Sequence, residues 1–131
     1  KIKFREPFRP FAPAVTAEAC AEYFDLPDSD NHLAARFMLL VVPVRQEKQD
    51  LIPAVNHMGT ARIQTVYPDS NPRYYQLIRK FGESTGVPVL MNTSFNVRGE
   101  PIVNSPSDAL NTFANSGIDS LVMGDFLLDK P

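Results

Sequence analysis

The clearest hydrophobic periodicity runs from about Asn71 to Ser84, where Tyr75, Leu77, Ile78 and Phe81 recur at helical spacing on one face. Pro72 suits the first turn of such a helix and Gly86 its stop. A second helix is expected from Ser105, with Ser105 as N-cap, Pro106 at the first position and Asp108 at the third. Leu110, Phe113 and Ala114 would face inward, and Gly117 would end it. A third, shorter helix is expected after Thr16, with Ala19, Cys20, Tyr23 and Phe24 as its apolar stripe and Pro27 as its stop.

Strand expectations come from shorter runs. Residues 1–13 open with Lys1, Lys3 and Arg5 on one side of an extended segment and Ile2 and Phe4 on the other. The prolines at 7, 10 and 13 keep that segment out of a helix. Phe37–Val44 reads as a buried strand. Ile52–His57 and Ala61–Tyr67 read as an antiparallel hairpin turning at Met58–Gly59, with residues 46–50 a solvated loop before it. Residues 87–92 form a further strand, followed by the polar loop 93–100 and a short strand at Ile102–Val103. The apolar run 120–128 closes the chain as a strand interrupted by Gly124. This order predicts an α/β fold, with a mixed twisted sheet flanked by helices.

The chain's 131 residues amount to one domain's worth, read here as a single unit over 1–131. Lys and Arg total 13 against 15 Asp and Glu, and a formal charge of −2 argues against a nucleic-acid-binding surface. The longest apolar run, Phe37 to Val42, has six residues, far short of a membrane span. Cys20 is the single cysteine, which excludes an internal disulfide and fits a reducing, cytoplasmic setting. No secretory signal is expected from the opening residues, which are charged and lack an apolar h-region. The first ten residues carry four cations and Glu6, about +3 by residue count, so the remainder is distinctly acidic. Opening on Lys1 with dense charge, the chain reads as a piece of something larger.

Candidate chemistry concentrates in the loop after residues 87–92. Asn92, Thr93, Ser94, Asn96 and Arg98 offer hydroxyl, amide and guanidinium groups beyond the carboxyl end of a strand, where α/β sheets bind ligands. That set suits a phosphate-like anion, although Ser, Thr and Asn also populate ordinary turns. The basic face of the opening segment is the second candidate, with a guarded edge strand as its plainer reading. Arg9, set among aromatics and prolines, is held rather than free to sweep. His57 and His32 read as turn and loop residues. No motif has metal-ligand spacing, so no metal held by this chain is expected.

Three segments, 3–13 (KFREPFRPFAP), 59–66 (GTARIQTV) and 86–103 (GVPVLMNTSFNVRGEPIV), resemble the C-terminal domain of the O-carbamoyltransferases of the nodulation, cephamycin and tobramycin type. Residues 71–75 and 105–126 follow the same pattern. The resemblance implies a YrdC-like domain, lacking its N-terminal part, in which ATP and carbamoyl phosphate give a carbamoyl adenylate. A separate N-terminal domain of actin and sugar-kinase fold, carrying its own metal, would pass the carbamoyl group to an acceptor hydroxyl. By this resemblance Lys3 and Arg5 match a Lys-x-Arg signature, Ser94 and Asn96 a Ser-x-Asn signature, and Arg62 the arginine of the Thr-Ala-Arg segment. Lys3, Arg5, Asn92, Ser94 and Asn96 are then the nucleotide- or carbamoyl-binding residues, and Arg9, Arg62 and Arg98 the catalytic ones. A Mg or Mn ion would accompany the nucleotide. Asn56 and Met58 stand where the family commonly has His and Asp, so His57 is not the family's histidine and its role stays open. The chain starts after the family's Gly-Pro-Arg-Ala-Leu-Gly-like motif, and weak or absent turnover is expected of it alone. The alternative is a non-catalytic YrdC-like module that binds nucleotide or RNA.

Overall fold

The computed structural model describes every residue except Lys1, Phe4, Arg5, Pro7 and residues 28–31. In chain order the elements are β1 (Ala12–Thr16), α1 (Ala17–Tyr23), α2 (Leu33–Arg36), β2 (Val41–Pro43), a 3-10 segment (Gln46–Leu51), β3 (Thr60–Arg62), β4 (Gln64–Val66), α3 (Pro72–Thr85), β5 (Val89–Asn92), α4 (Pro106–Ala114), β6 (Ser120–Met123) and β7 (Phe126–Asp129). They form two compact units, one of Pro10–Thr93 and a smaller one of Lys1–Arg9 with Ser94–Pro131. The fold is mixed α/β, as the pattern predicts.

In the larger unit β1 is the middle strand of three. It runs parallel to β4, with Ala14 opposite Gln64, and antiparallel to β5, with Ala14 opposite Leu90. Its residues are small and buried throughout, which lets both faces be covered closely. Val15 packs with Cys20, Tyr23, Phe24, Ile63 and Val89 on one face. Ala14, its neighbour on the opposite face, packs with Val66 and Ile78. The α3 helix supplies Ile78. Asn71 caps that helix by accepting from Tyr74 N at 3.3 Å, and Gly86 closes it at φ 78°.

Several expectations are corrected here. The basic opening segment is not a strand among its described residues, because regular pairing starts only at Ala12. The faces of Lys1 and Arg5 lie outside the described residues. Phe37–Val44 is not one buried strand: Met38 turns the chain at φ 55°, Val41–Pro43 alone forms a strand, and Val44 adds a single bridge to Phe24. Leu39 and Val41 are 72% and 66% exposed, so the apolar run marks no buried element along its length. Ile52–His57 forms turns rather than the first strand of a hairpin. The partner of β3 is β2, with Ala61 opposite Val42. Ile63 separates β3 from β4, which joins the β1 sheet instead. Residues 46–50 belong to the 3-10 segment, not an irregular loop.

The smaller unit packs α4 on the β6–β7 hairpin through Ala109, Phe113 and Leu121, with Phe95, Val103, Ile118 and Leu128 around them. The apolar run 120–128 is thus two strands, because Gly124 at φ 62° reverses the chain instead of interrupting one strand. Ile102–Val103 is not a strand; Val103 N bonds singly to Phe95 O at 2.9 Å. Ser105 caps α4 as expected, accepting from Asp108 N at 3.1 Å, but the helix ends at Ala114, before Gly117. Among the described residues no helix is long and apolar enough to cross a membrane.

Candidate functional site

The loop that follows β5 belongs to the smaller unit from Ser94 onward, as does the opening segment with Lys3 and Arg9. Lys3 reaches across the chain to this loop. Its Nζ lies 2.5 Å from Ser94 O, 3.2 Å from Ser94 Oγ, and 2.8 Å from both Asn96 O and Asn96 Oδ1. An ammonium has three protons, and four oxygens here share them. Lys3 therefore fixes the loop and brings a positive charge to it.

The loop is also tied from its far end. Ser94 Oγ donates to Asn96 Oδ1 at 2.7 Å, and Asn96 Nδ2 donates to Glu100 O at 2.8 Å. Glu100 Oε2 accepts from Val97 N at 3.3 Å and from Thr112 Oγ1 of α4 at 3.2 Å. Gly99, at φ 86°, permits the tight return between Val97 and Glu100. Phe95 and Val103 then sink into the Phe113 cluster. The polar loop rests on an apolar floor, which limits its freedom.

A cavity of about 220 Å³ lies over this loop, lined by Lys3, Glu6, Arg9, Ser94, Asn96, Val97 and Arg98. Among the described residues, three cations and one carboxylate face it. Arg9 Nη1 and Arg98 Nη2 approach different oxygens of Glu6, at 3.8 and 3.4 Å, with the arginine side chains 57% and 70% exposed. Two guanidiniums converging at an open cavity suit a ligand with several anionic oxygens. Nearby, the Asp108 carboxyl is held below its usual range by hydrogen bonding with Ser105 and then with Asn104 N–H.

Lys3, Arg9, Ser94, Asn96 and Arg98, all singled out from the sequence, therefore meet at one cavity. Arg5 lies outside the described residues. Arg62 and Asn92 belong to the larger unit. Arg62 is exposed on β3 opposite Val41, and Asn92 Nδ2 donates to Gln64 Oε1 at 2.5 Å. Sequence reasoning missed Glu6, counted only as a charge, and Glu100. The glycine just before Glu100 was the available signal, since a turn there points the next side chain back at the loop. His57 sits in the β-turn before β3, where Asn56 Oδ1 accepts from Gly59 N at 3.0 Å. Among the described residues no cluster of three or more potential metal ligands occurs.

Comparison with known proteins gives a consistent picture. The family described as "Carbamoyltransferase C-terminus" matches residues 1–130. The chain is 49% identical over 130 residues to nodulation protein NolNO of Sinorhizobium fredii, covering 98% of this chain and 19% of that protein. It is 47% identical over 130 residues to nodulation protein NolO of Bradyrhizobium diazoefficiens, covering 98% and 23%. It is 36% identical over 126 residues to the 3'-hydroxymethylcephem-O-carbamoyltransferase of Amycolatopsis lactamdurans, covering 95% and 23%. The chain thus spans about a fifth of the length of these relatives.

Proposed function

The chain belongs to the carbamoyltransferase C-terminus family, and from that premise we propose that it is the activating domain of an O-carbamoyltransferase. In this reading it holds ATP and carbamoyl phosphate while a carbamoyl adenylate is made. The observation that carries the proposal is the shared cavity, where Lys3 and Arg9 from one end of the sequence meet Ser94, Asn96 and Arg98 from the other.

The chemistry needs such a place. Hydrolysis of the C–O–P linkage of carbamoyl phosphate releases phosphate and leaves carbamate. A carbamate oxygen then attacks the α-phosphorus of ATP, forming a new P–O bond and expelling pyrophosphate. Two anions must be brought together, and fixed cations offset their repulsion and the charge gathering on the transferring phosphorus. Arg9 and Arg98 direct donors to the cavity and would bind phosphate oxygens. The Lys3 protons are committed to the loop, so Lys3 acts through its charge and through the shape it imposes on Ser94 and Asn96. Arg5, Arg62 and Asn92 join this assignment through the family resemblance alone. A Mg or Mn ion would arrive on the nucleotide with its waters, a mode that asks little of protein carboxylates. A separate N-terminal domain of actin and sugar-kinase fold would then transfer the carbamoyl group to a hydroxyl of the acceptor, which attacks the carbamoyl carbon and releases AMP.

The test is calorimetry of the chain with ATP and with carbamoyl phosphate, together with pyrophosphate release from the two substrates in a polypeptide that also carries the partner domain. The Arg98→Ala and Ser94→Ala variants should lose most of the release. Unchanged release in both would defeat the assignment, and tighter binding of duplex RNA than of ATP would favour an RNA-binding module.

A further inference from the structure

We propose that Glu6 is a specificity-determining residue of this cavity: a built-in counter-anion that sets the least charge a ligand must bring to enter. The proposal rests on reading the cavity as a phosphate site.

One carboxylate spans two guanidiniums from distant parts of the sequence. Glu6 Oε2 faces Arg9 and Glu6 Oε1 faces Arg98. Each guanidinium meets one oxygen of the carboxylate through a single nitrogen, and two oxygens of one phosphate could bridge the same two cations, so Glu6 stands where a phosphate would. All three side chains line the cavity. The Glu6 side chain is 38% exposed and its partners more so, which makes these ion pairs weak and readily exchanged.

Exchange is selective because the competitor never leaves by diffusion. A monovalent carboxylate or bicarbonate brings no more charge than the Glu6 it displaces, and it adds the entropy of capture. A dianionic phosphoryl group or pyrophosphate brings more charge and more oxygens to the same two guanidiniums and to the Lys3 charge that also lines the cavity, so it wins. With no ligand present, Glu6 keeps the two arginines converged against their mutual repulsion. Entry by a polyvalent anion would turn the carboxylate out toward water.

The test is calorimetric titration of the chain at low ionic strength with pyrophosphate and, separately, with acetate, for the wild type, Glu6→Gln and Arg98→Ala. The amide of Glu6→Gln keeps the size of the side chain at an exposed position. Wild type should bind pyrophosphate and exclude acetate. Glu6→Gln should bind pyrophosphate about threefold to tenfold more tightly, with the gain shrinking as salt is added. It should also admit acetate to a measurable degree. Unchanged or weaker pyrophosphate binding in Glu6→Gln, with wild type binding and Arg98→Ala impaired, would overturn this proposal alone. Equal binding by wild type and Arg98→Ala, or binding by neither wild type nor Glu6→Gln, would remove the phosphate reading and this proposal with it.

Discussion

Lys3 Nζ lies 2.8 Å from both the main-chain oxygen and the side-chain Oδ1 of Asn96, so one ammonium holds the backbone and the side chain of the same loop residue. Charge-assisted bonds to carbonyl oxygens are among the stronger ones, and this geometry asks for a compact donor with freely rotating protons. Lys3→Met should cost about 1 kcal/mol of stability after allowing for partial exposure, and it should sharply weaken anion binding. Lys3→Arg keeps the charge, but a planar fork cannot converge on four oxygens around one point. It should recover little of either, as thermal melts and phosphate titrations will read. Full recovery by arginine would show that charge alone matters.

Glu100 supports the loop from its other end. Thr112 is 3% exposed, and its hydroxyl and Val97 N both rely on Glu100 Oε2. Glu100→Ala leaves two donors without that acceptor and should cost about 1–3 kcal/mol. Glu100→Gln retains a carbonyl oxygen and should restore most of the loss in urea unfolding. If glutamine behaves like alanine, the negative charge rather than the hydrogen bond does the work.

Thr65 is 2% exposed on β4, and its Oγ1 has no hydrogen-bond partner among the described residues. Valine has the same shape without the polar atom. Thr65→Val should raise stability by about 1 kcal/mol, seen as a higher denaturant midpoint at unchanged slope. A drop in the midpoint would mean that the hydroxyl is satisfied in solution.

Asp108 gives a pH dependence with a definite sign. Hydrogen bonding from the Ser105 side chain, and next from Asn104 N–H, favours its carboxylate and lowers its pKa. A folded pKa below the unfolded one adds stability above the unfolded value, and that stability fades as pH falls through the folded value. Asp108→Asn should therefore be less stable than wild type at neutral pH. The difference should close on acidification below the ordinary carboxylate range, measured by melts at several pH values. A difference that stays constant with pH would exclude this ionisation.

The two longest helices were legible in the residues themselves. Asn71, Pro72 and Gly86 bound α3, and Ser105 and Pro106 open α4, because helix ends are satisfied by groups a few positions away. The candidate loop was legible too, since Ser94, Asn96, Gly99 and Arg98 carry their chemistry in their types. Partner choice was not. The residues 52–67 suggested a hairpin, yet β3 pairs with β2 and β4 with β1.

By itself, then, the sequence determined what is local: the helices, their caps, the polar loop and the family pattern from Lys3 to Val103. Tertiary structure alone decided that Lys3 grips Asn96, that Glu6 spans Arg9 and Arg98, and that Glu100 answers Thr112. The physical reason is one of range. A helix hydrogen bond closes within four residues, whereas a strand edge, an ammonium or a carboxylate can be satisfied by any suitable group the fold brings near.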